Sequence, residues 1–290
     1  MPLFSRARVA GAIVSSALLA TVAVPGSAVA DTASAPDYVN MGDSFSAGSG
    51  ILPLAPGMSP LCAQSAKNWA HVIAATKGYR LKDVSCGGAS TTHYTLPQYP
   101  GVPAQVDALS SATKLVTMSI GGNDNNTFIS AIIACGAAGV LSGGTGSPCE
   151  TAFGDSFAHT VRTKTYPNLV KALTAVKKKA PNARVAIGDY LNILPSGAGC
   201  FPTIPLASGD LGYVRDLQTT LHDTIKRAAD ATDTTFVDYS EISEGHDACQ
   251  PAGTRWVEPV VPSGTLGPVH PNAEGERQMA QHTLETLGLS

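Results

Sequence analysis

The sequence predicts an α/β fold built on a parallel sheet, and three observations carry that reading. Five short runs rich in β-formers, at 38–41, 81–85, 115–120, 184–187 and 235–237, are apolar mostly on consecutive positions, as strands buried on both faces are. Between them lie stretches with apolar residues at helical spacing. Glycine-rich turns follow the first three runs, at the carboxyl ends of strands, where open α/β sheets bind ligands.

Taken in order, run 38–41 opens the first strand, and Gly42-Asp43-Ser44 forms the turn at its end. Gly42 lets the backbone swing a hydroxyl into the crevice, although Asp and Ser also serve as ordinary helix caps. Residues 65–76 place Trp69, Val72 and Ile73 on one helical face. Run 81–85 leads into Cys86-Gly87-Gly88-Ala89-Ser90, where a backbone N–H unobstructed by a side chain can donate; a tight turn beside a disulfide is the other reading. Run 115–120 leads into Gly121-Gly122-Asn123-Asp124, which turns the Asn123 amide inward as a donor or leaves it an ordinary turn residue. Residues 128–129, 140–141, 204 and 206 read as loops able to line an apolar acyl groove, or as packing beneath loops. A helix over 157–180 carries Leu169, Leu173 and Val176, and Pro167 should kink it or mark its true start. A further helix over 211–229 carries Val214, Leu217, Leu221 and Ile225. His270 stands just before the last helix, which Asn272 caps and which runs to about Leu287. His71, His159, His222 and His282 fall within helical patterns and His93 in a polar loop, so His270 is the best-placed general base.

The amino terminus sets the compartment. Arg6 and Arg8, an apolar stretch from Val9 to Val24, and Ala28-Val29-Ala30 fit a cleaved secretory signal peptide over residues 1–30, ahead of a single domain over 31–290. A membrane anchor fits less well, because Pro25-Gly26 interrupts a run shorter than the roughly 20 residues a span needs. Removal of the segment leaves 17 basic against 22 acidic side chains, a formal charge of −5 and no footprint for nucleic acid. A secreted, extracellular monomer without stable membrane insertion is the expectation. Cys62, Cys86, Cys135, Cys149, Cys200 and Cys249 then read as disulfides; six cysteines allow 15 pairings, and sequential pairing is expected. No Cys-x-x-Cys or His-x-x-x-His spacing supports a metal site.

Gly-Asp-Ser-Phe-Ser-Ala-Gly at 42–48, the glycine of Cys-Gly-Gly-Ala-Ser, Gly-Gly-Asn-Asp at 121–124 and His-Pro-Asn-Ala-Glu-Gly at 270–275 together resemble the four ordered blocks of the SGNH, or GDSL-type, hydrolase superfamily. Gly245-His246-x-x-Cys249 followed by Arg255-Trp256, with six cysteines, is similar to its secreted actinobacterial (Streptomyces-like) esterase and lipase branch. The resemblance implies a flavodoxin-like three-layer α/β/α sandwich with five parallel strands. It implies Ser44 as nucleophile, His270 as base, and an oxyanion hole made by the N–H groups of Ser44 and Gly88 with the Asn123 amide. Many relatives carry aspartate three residues before the histidine, but this chain has Gly267, so a Ser44–His270 dyad is expected with a main-chain carbonyl, that of Gly267 or of a residue next to it, orienting the ring. The implied reaction is acyl-ester hydrolysis through an acyl-enzyme, without metal or organic cofactor. An aromatic content of 6% argues against a sugar platform and for a lipid-like ester. Lipase or carboxylesterase activity ranks first, then phospholipase, then carbohydrate deacetylase. A catalytically silent domain binding glycans or lipids is the alternative of another class; release of p-nitrophenol from acyl esters separates the two.

Overall fold

The computed structural model describes residues 37–290, and the expected signal peptide lies outside them. Strands β1 (Tyr38–Gly42), β2 (Leu81–Asp83), β3 (Leu115–Ser119), β4 (Arg184–Gly188) and β5 (Thr235–Val237) form one parallel sheet in the order β2-β1-β3-β4-β5. The order reverses between β1 and β3, which opens a crevice at their carboxyl ends, Gly42 and Ser119. Successive strand residues serve opposite faces. Tyr38, Leu115 and Val237 pack on one side with Trp69 and Ile73 of α2 (Trp69–Lys77) and Met279 and Leu284 of α9 (Ala273–Thr286). Val39, Met41, Val116, Met118 and Ile187 pack on the other with Leu169, Leu173 and Val176 of α6 (Tyr166–Lys179) and Leu217, Leu221 and Ile225 of α7 (Asp210–Ala231). The result is the three-layer α/β/α sandwich, and coverage of both faces is why the strands show no alternation.

The remaining helices are short or unforeseen. α1 (Ser44–Ala47) is a single turn after β1, α4 (Pro148–Phe153) and α5 (Ser156–Thr160) follow each other closely, and α8 (Tyr239–Ile242) follows β5. α2 starts at Trp69, later than its periodicity predicts, because the Asn68 side chain caps it by accepting from His71 N. The expected helix over 157–180 is interrupted by a π-helical turn at Val161–Thr165. Pro167 has no N–H for the Thr163 carbonyl and its ring would crowd that group, so the turn before it widens.

One expectation fails in its secondary structure, although Phe128 and Ile129 do line the cleft around Ser44. Residues 128–129 and 140–141 belong to α3 (Thr127–Leu141), not to loops. Its glycines and its apolar residues on all sides hide the helical period. Gly139 has a packing cause: a Cβ there would lie 2.1 Å from Pro205 O. The disulfides are Cys62–Cys86, Cys135–Cys149 and Cys200–Cys249, the second joining α3 to α4.

Candidate active site

Backbone constraints build the turn that presents Ser44. Gly42 ends β1 at φ +118°, and a Cβ there would lie 2.3 Å from Ser119 O, so only glycine fits. Buried Gln105 clamps the same residue, accepting from Gly42 N at 2.7 Å and donating to Gly42 O at 2.9 Å. Asp43 caps α1 by accepting from Phe45 N at 3.0 Å. Ser46 is buried, and its Oγ accepts from Ser119 N at 2.7 Å, which ties it to β3. Ser44 instead lines an open cleft.

His270 arrives on a loop held by the bridge between Val257 and Pro271, with Val269 N donating to Glu258 O at 2.8 Å and Glu258 N to His270 O at 2.9 Å. Its Nε2 lies 2.8 Å from Ser44 Oγ, and its Nδ1 2.8 Å from Pro268 O. A carbonyl can only accept, so Nδ1 carries the hydrogen and Nε2 turns its lone pair to the serine O–H. The acceptor is therefore Pro268 O and not Gly267 O. Val269 adopts a left-handed φ of 60°, which folds the Pro268 carbonyl back onto the ring. Gly267 O accepts from Thr265 Oγ1 at 3.2 Å. The Phe45 ring lies 5.2 Å from the imidazole and carries Tyr190 edge-on at 4.8 Å. Burial pushes the His270 imidazole below its ordinary pKa, and the Pro268 hydrogen bond opposes this without overcoming it.

The donor turns lie on either side of Ser44. Cys86 N donates to Gly42 O at 3.1 Å, Gly87 N to Cys62 O at 2.7 Å and Ala89 N to Cys86 O at 3.0 Å. Gly88, at φ +74°, keeps an N–H with no acceptor among the described residues, as does Ser44 at the first position of α1. Asn123 Nδ2 gives one hydrogen to Ala89 O at 3.0 Å and retains a second. Asp124 fastens the two turns together, accepting from Thr91 N at 2.8 Å and Thr91 Oγ1 at 2.6 Å. Apolar Phe128, Ile129, Ile132 and Ile193 complete the cleft around Ser44, Asn123 and His270.

Sequence reading missed several supporting residues. Tyr190 donates to Asp43 Oδ2 at 2.6 Å and accepts from Gly122 N at 2.8 Å, linking the Ser44 turn to the Asn123 turn. The position of Tyr190 just past β4 was the available signal. Desolvation pushes the fully buried Asp43 carboxyl up to about 7, against the bonds from Tyr190 and Phe45 N. Glu258 accepts from Arg255 Nη2 at 2.8 Å, Gly264 N at 2.6 Å and Asn272 Nδ2 at 3.0 Å, bracing the histidine loop. Burial pushes its carboxyl up, but these bonds prevail and hold it below the usual range. Asp238 accepts from Ser240 Oγ and Glu241 N, and Asp247 from Cys249 N and Gln250 Nε2, so both serve local turns. His246 stacks on Trp256 with ring centroids 3.9 Å apart and donates through Nδ1 to Thr254 O.

Comparison with known proteins decides the family, because residues 41–278 match the GDSL-like lipase/acylhydrolase family. The chain belongs to that family. It is an ester hydrolase of the lipase/esterase type. It is 55% identical over 255 residues to "Lipase 2" of Streptomyces coelicolor, across 87% of this chain and 86% of that protein. It is 28% identical to a Streptomyces rimosus lipase, across 95% and 96% of the two chains. Among solved structures, phospholipase A1 from Streptomyces albidoflavus superposes with a TM-score of 0.72 at 25% identity, over 88% of this chain and 98% of the other. The extracellular lipase from Streptomyces rimosus gives 0.71 at 23% identity, over 87% and 98%, a likeness of fold.

Proposed function

We propose that this hydrolase cleaves lipid-like acyl esters with a Ser44–His270 dyad, its histidine oriented by the Pro268 carbonyl. The observation that carries the reading is the 2.8 Å approach of His270 Nε2 to Ser44 Oγ, with Nδ1 committed to Pro268 O at 2.8 Å. Ser44 Oγ attacks the ester carbonyl carbon as its proton passes to Nε2. The tetrahedral oxygen draws on Ser44 N–H, Gly88 N–H and the remaining Asn123 Nδ2 hydrogen. Collapse breaks the C–O bond, and the leaving alkoxide takes the proton from Nε2. Water then attacks the acyl-serine, giving its proton to the same nitrogen, and the acid is released as Ser44 is reprotonated. The cleft walls, Phe128, Ile129, Ile132 and Ile193, favour an acyl chain over a sugar. A phospholipid ester is the second reading, favoured by the structural likeness to a phospholipase A1. The protein acts outside the cell as a monomer, one domain over 31–290 released by loss of residues 1–30.

A serine-directed phosphonate is expected to modify Ser44, and Ser44→Ala to abolish hydrolysis of p-nitrophenyl esters in a folded chain. Modification of Ser46 instead would overturn the assignment.

A further inference from the structure

α3 is inverted relative to an ordinary surface helix. Its small residues Ala131, Cys135, Gly136 and Gly139 are buried, and of its large ones Phe128 and Ile132 pack partly against the core while four others face water. Ile129 is 40% exposed, Ile133 65%, Val140 59% and Leu141 89%. At 1.5 Å per residue and 3.6 residues per turn, Ile129, Ile133 and Val140 fall within about 40° of one another and Leu141 about 80° further round, a broad apolar stripe about 18 Å long. Half-exposed Phe201 continues it past the helix end, where a Cβ on Gly144 would lie 2.7 Å from the Phe201 ring. Helices of soluble proteins turn their large apolar residues inward, and a contiguous apolar patch left outside marks a surface that meets an apolar partner.

Two observations identify that partner. The stripe is continuous with the cleft, since Ile129 lines it alongside Phe128, Ile132, Ser44 and His270. A second copy of the chain seated on the stripe would obstruct this mouth, whereas a layer of substrate would feed it. Charge selects the kind of layer. Residues 125–149 contain no Asp, Glu, Lys, Arg or His, in a chain with 22 acidic against 19 basic side chains. The stripe therefore offers nothing to attract an anionic surface. α3 has 15 residues, fewer than the roughly 20 needed for a span, so it suits a helix lying along an interface.

We propose that the outer face of α3 docks the protein on an aggregate of uncharged or zwitterionic ester lipids, so that an acyl chain enters the cleft past Ile129. The proposal rests on the ester-hydrolase reading of that cleft, and its test separates the two.

Binding to phosphatidylcholine vesicles is measured by co-sedimentation in the Ser44→Ala background, which leaves the vesicles intact. Ile133→Glu and Leu141→Glu, both outside the cleft, are each expected to weaken binding about tenfold or more, the factor for withdrawing one large apolar side chain from a bilayer. With Ser44 restored, both variants should hydrolyse soluble p-nitrophenyl acetate as the parent does, with unchanged melting temperature. Leu141→Ser gives a smaller loss in the same direction and covers the case in which a glutamate disturbs folding. Undiminished vesicle binding in Leu141→Ser and Leu141→Glu would overturn the proposal, as would tighter, salt-sensitive binding to phosphatidylglycerol vesicles. A dimer in light scattering that Leu141→Glu dissociates would assign the stripe to a second copy and also overturn it. Stripe-dependent vesicle binding by a chain inert toward p-nitrophenyl acetate would support docking and reject the hydrolytic reading alone.

Discussion

Gly50 and Gly267 meet backbone against backbone: a Cβ on Gly50 would lie 2.3 Å from Gly267 N, and one on Gly267 would lie 2.3 Å from Ser49 O. Leu266 N also donates to Gly50 O at 3.1 Å, so this seam joins the segment after Ser44 to the loop bearing His270. No side chain fits at the position where many relatives carry aspartate.

Gly267→Asp is accordingly expected to harm the enzyme and not to complete a triad. The added atoms must push the facing backbones apart, at a cost of about 1–3 kcal/mol from overpacking. Gly50→Ala should behave alike, with the added strain of φ +104°. Melting temperature and kcat/KM for a soluble ester report both; higher activity in Gly267→Asp would refute this reading of the seam.

The pH dependence follows from the lowered His270 pKa. A carboxylate partner would raise the imidazole, whereas burial here lowers it, so the neutral base persists into mildly acidic solution. The acid limb of kcat/KM should have its midpoint below the ordinary histidine value of about 6.5. A pH profile with an uncharged ester locates it, and a midpoint above that value contradicts the dyad.

Tyr190 is expected to act by positioning. Tyr190→Phe leaves Asp43 Oδ2 and Gly122 N without their shared hydroxyl, and such buried losses commonly cost about 1–3 kcal/mol each. Because Gly122 precedes Asn123, kcat should fall at least tenfold with KM little changed. Asp43 supplies a second readout. Its folded pKa of about 7 lies above the ordinary aspartate value of 3.8, so the folded state holds the proton more tightly and this stability is lost as pH rises from near 4 to 7. Asp43→Asn should remove that contribution to the pH dependence in denaturant titrations, visible as the difference from the parent chain.

Much of this was legible in the sequence, for physical reasons. β1 and β3 are buried along their whole length, so their apolar runs are continuous, and Asn272 declares the start of α9 through its capping side chain. Ser44 and His270 stand where strand ends and a helix cap place them. α3 was illegible because an inverted helix with small residues inside carries no conventional stripe. Sequence narrows the acceptor only to Gly267 or a neighbour and does not single out Pro268, since a main-chain acceptor has no side-chain signature and the left-handed turn at Val269 is unusual for a β-branched residue. Tyr190 and Gln105 make their contacts across 147 and 63 residues of sequence, beyond any local pattern.

The disulfides should separate stability from catalysis. Cys62–Cys86 closes a separation of 24 residues and holds Gly87 through its N–H to Cys62 O, directly beside Gly88. Cys135–Cys149 closes 14 residues and joins α3 to α4. Each is worth about 3 kcal/mol by chain entropy. Paired Cys→Ser replacement at either site should lower the melting temperature. Only the first should also lower kcat for a soluble ester; equal losses of kcat at both sites would remove any special tie to the Gly88 turn and its proposed oxyanion role.

The last expectation concerns carboxylates. In a full triad, removing the aspartate's charge costs about 10⁴ in kcat, because the imidazole is left in the wrong tautomer. Here Pro268 O enforces the tautomer, and no side-chain substitution can delete a carbonyl. Asp238, just past β5, and Asp247, in the Gly245–Cys249 segment, already spend their oxygens on local turns. Asp238→Asn and Asp247→Asn should each retain kcat within about tenfold of the parent, a barrier change under about 1.4 kcal/mol. Glu258 differs, because it braces the loop itself: Glu258→Gln keeps the shape but weakens its hold on Arg255 and Gly264 N. It should lower kcat and melting temperature together while leaving the acid limb below about 6.5, since no charge next to His270 is removed. A loss of three or more decades in a folded Asp238→Asn or Asp247→Asn chain would mean that a carboxylate reaches Nδ1 in solution, and the carbonyl-supported dyad would have to be abandoned.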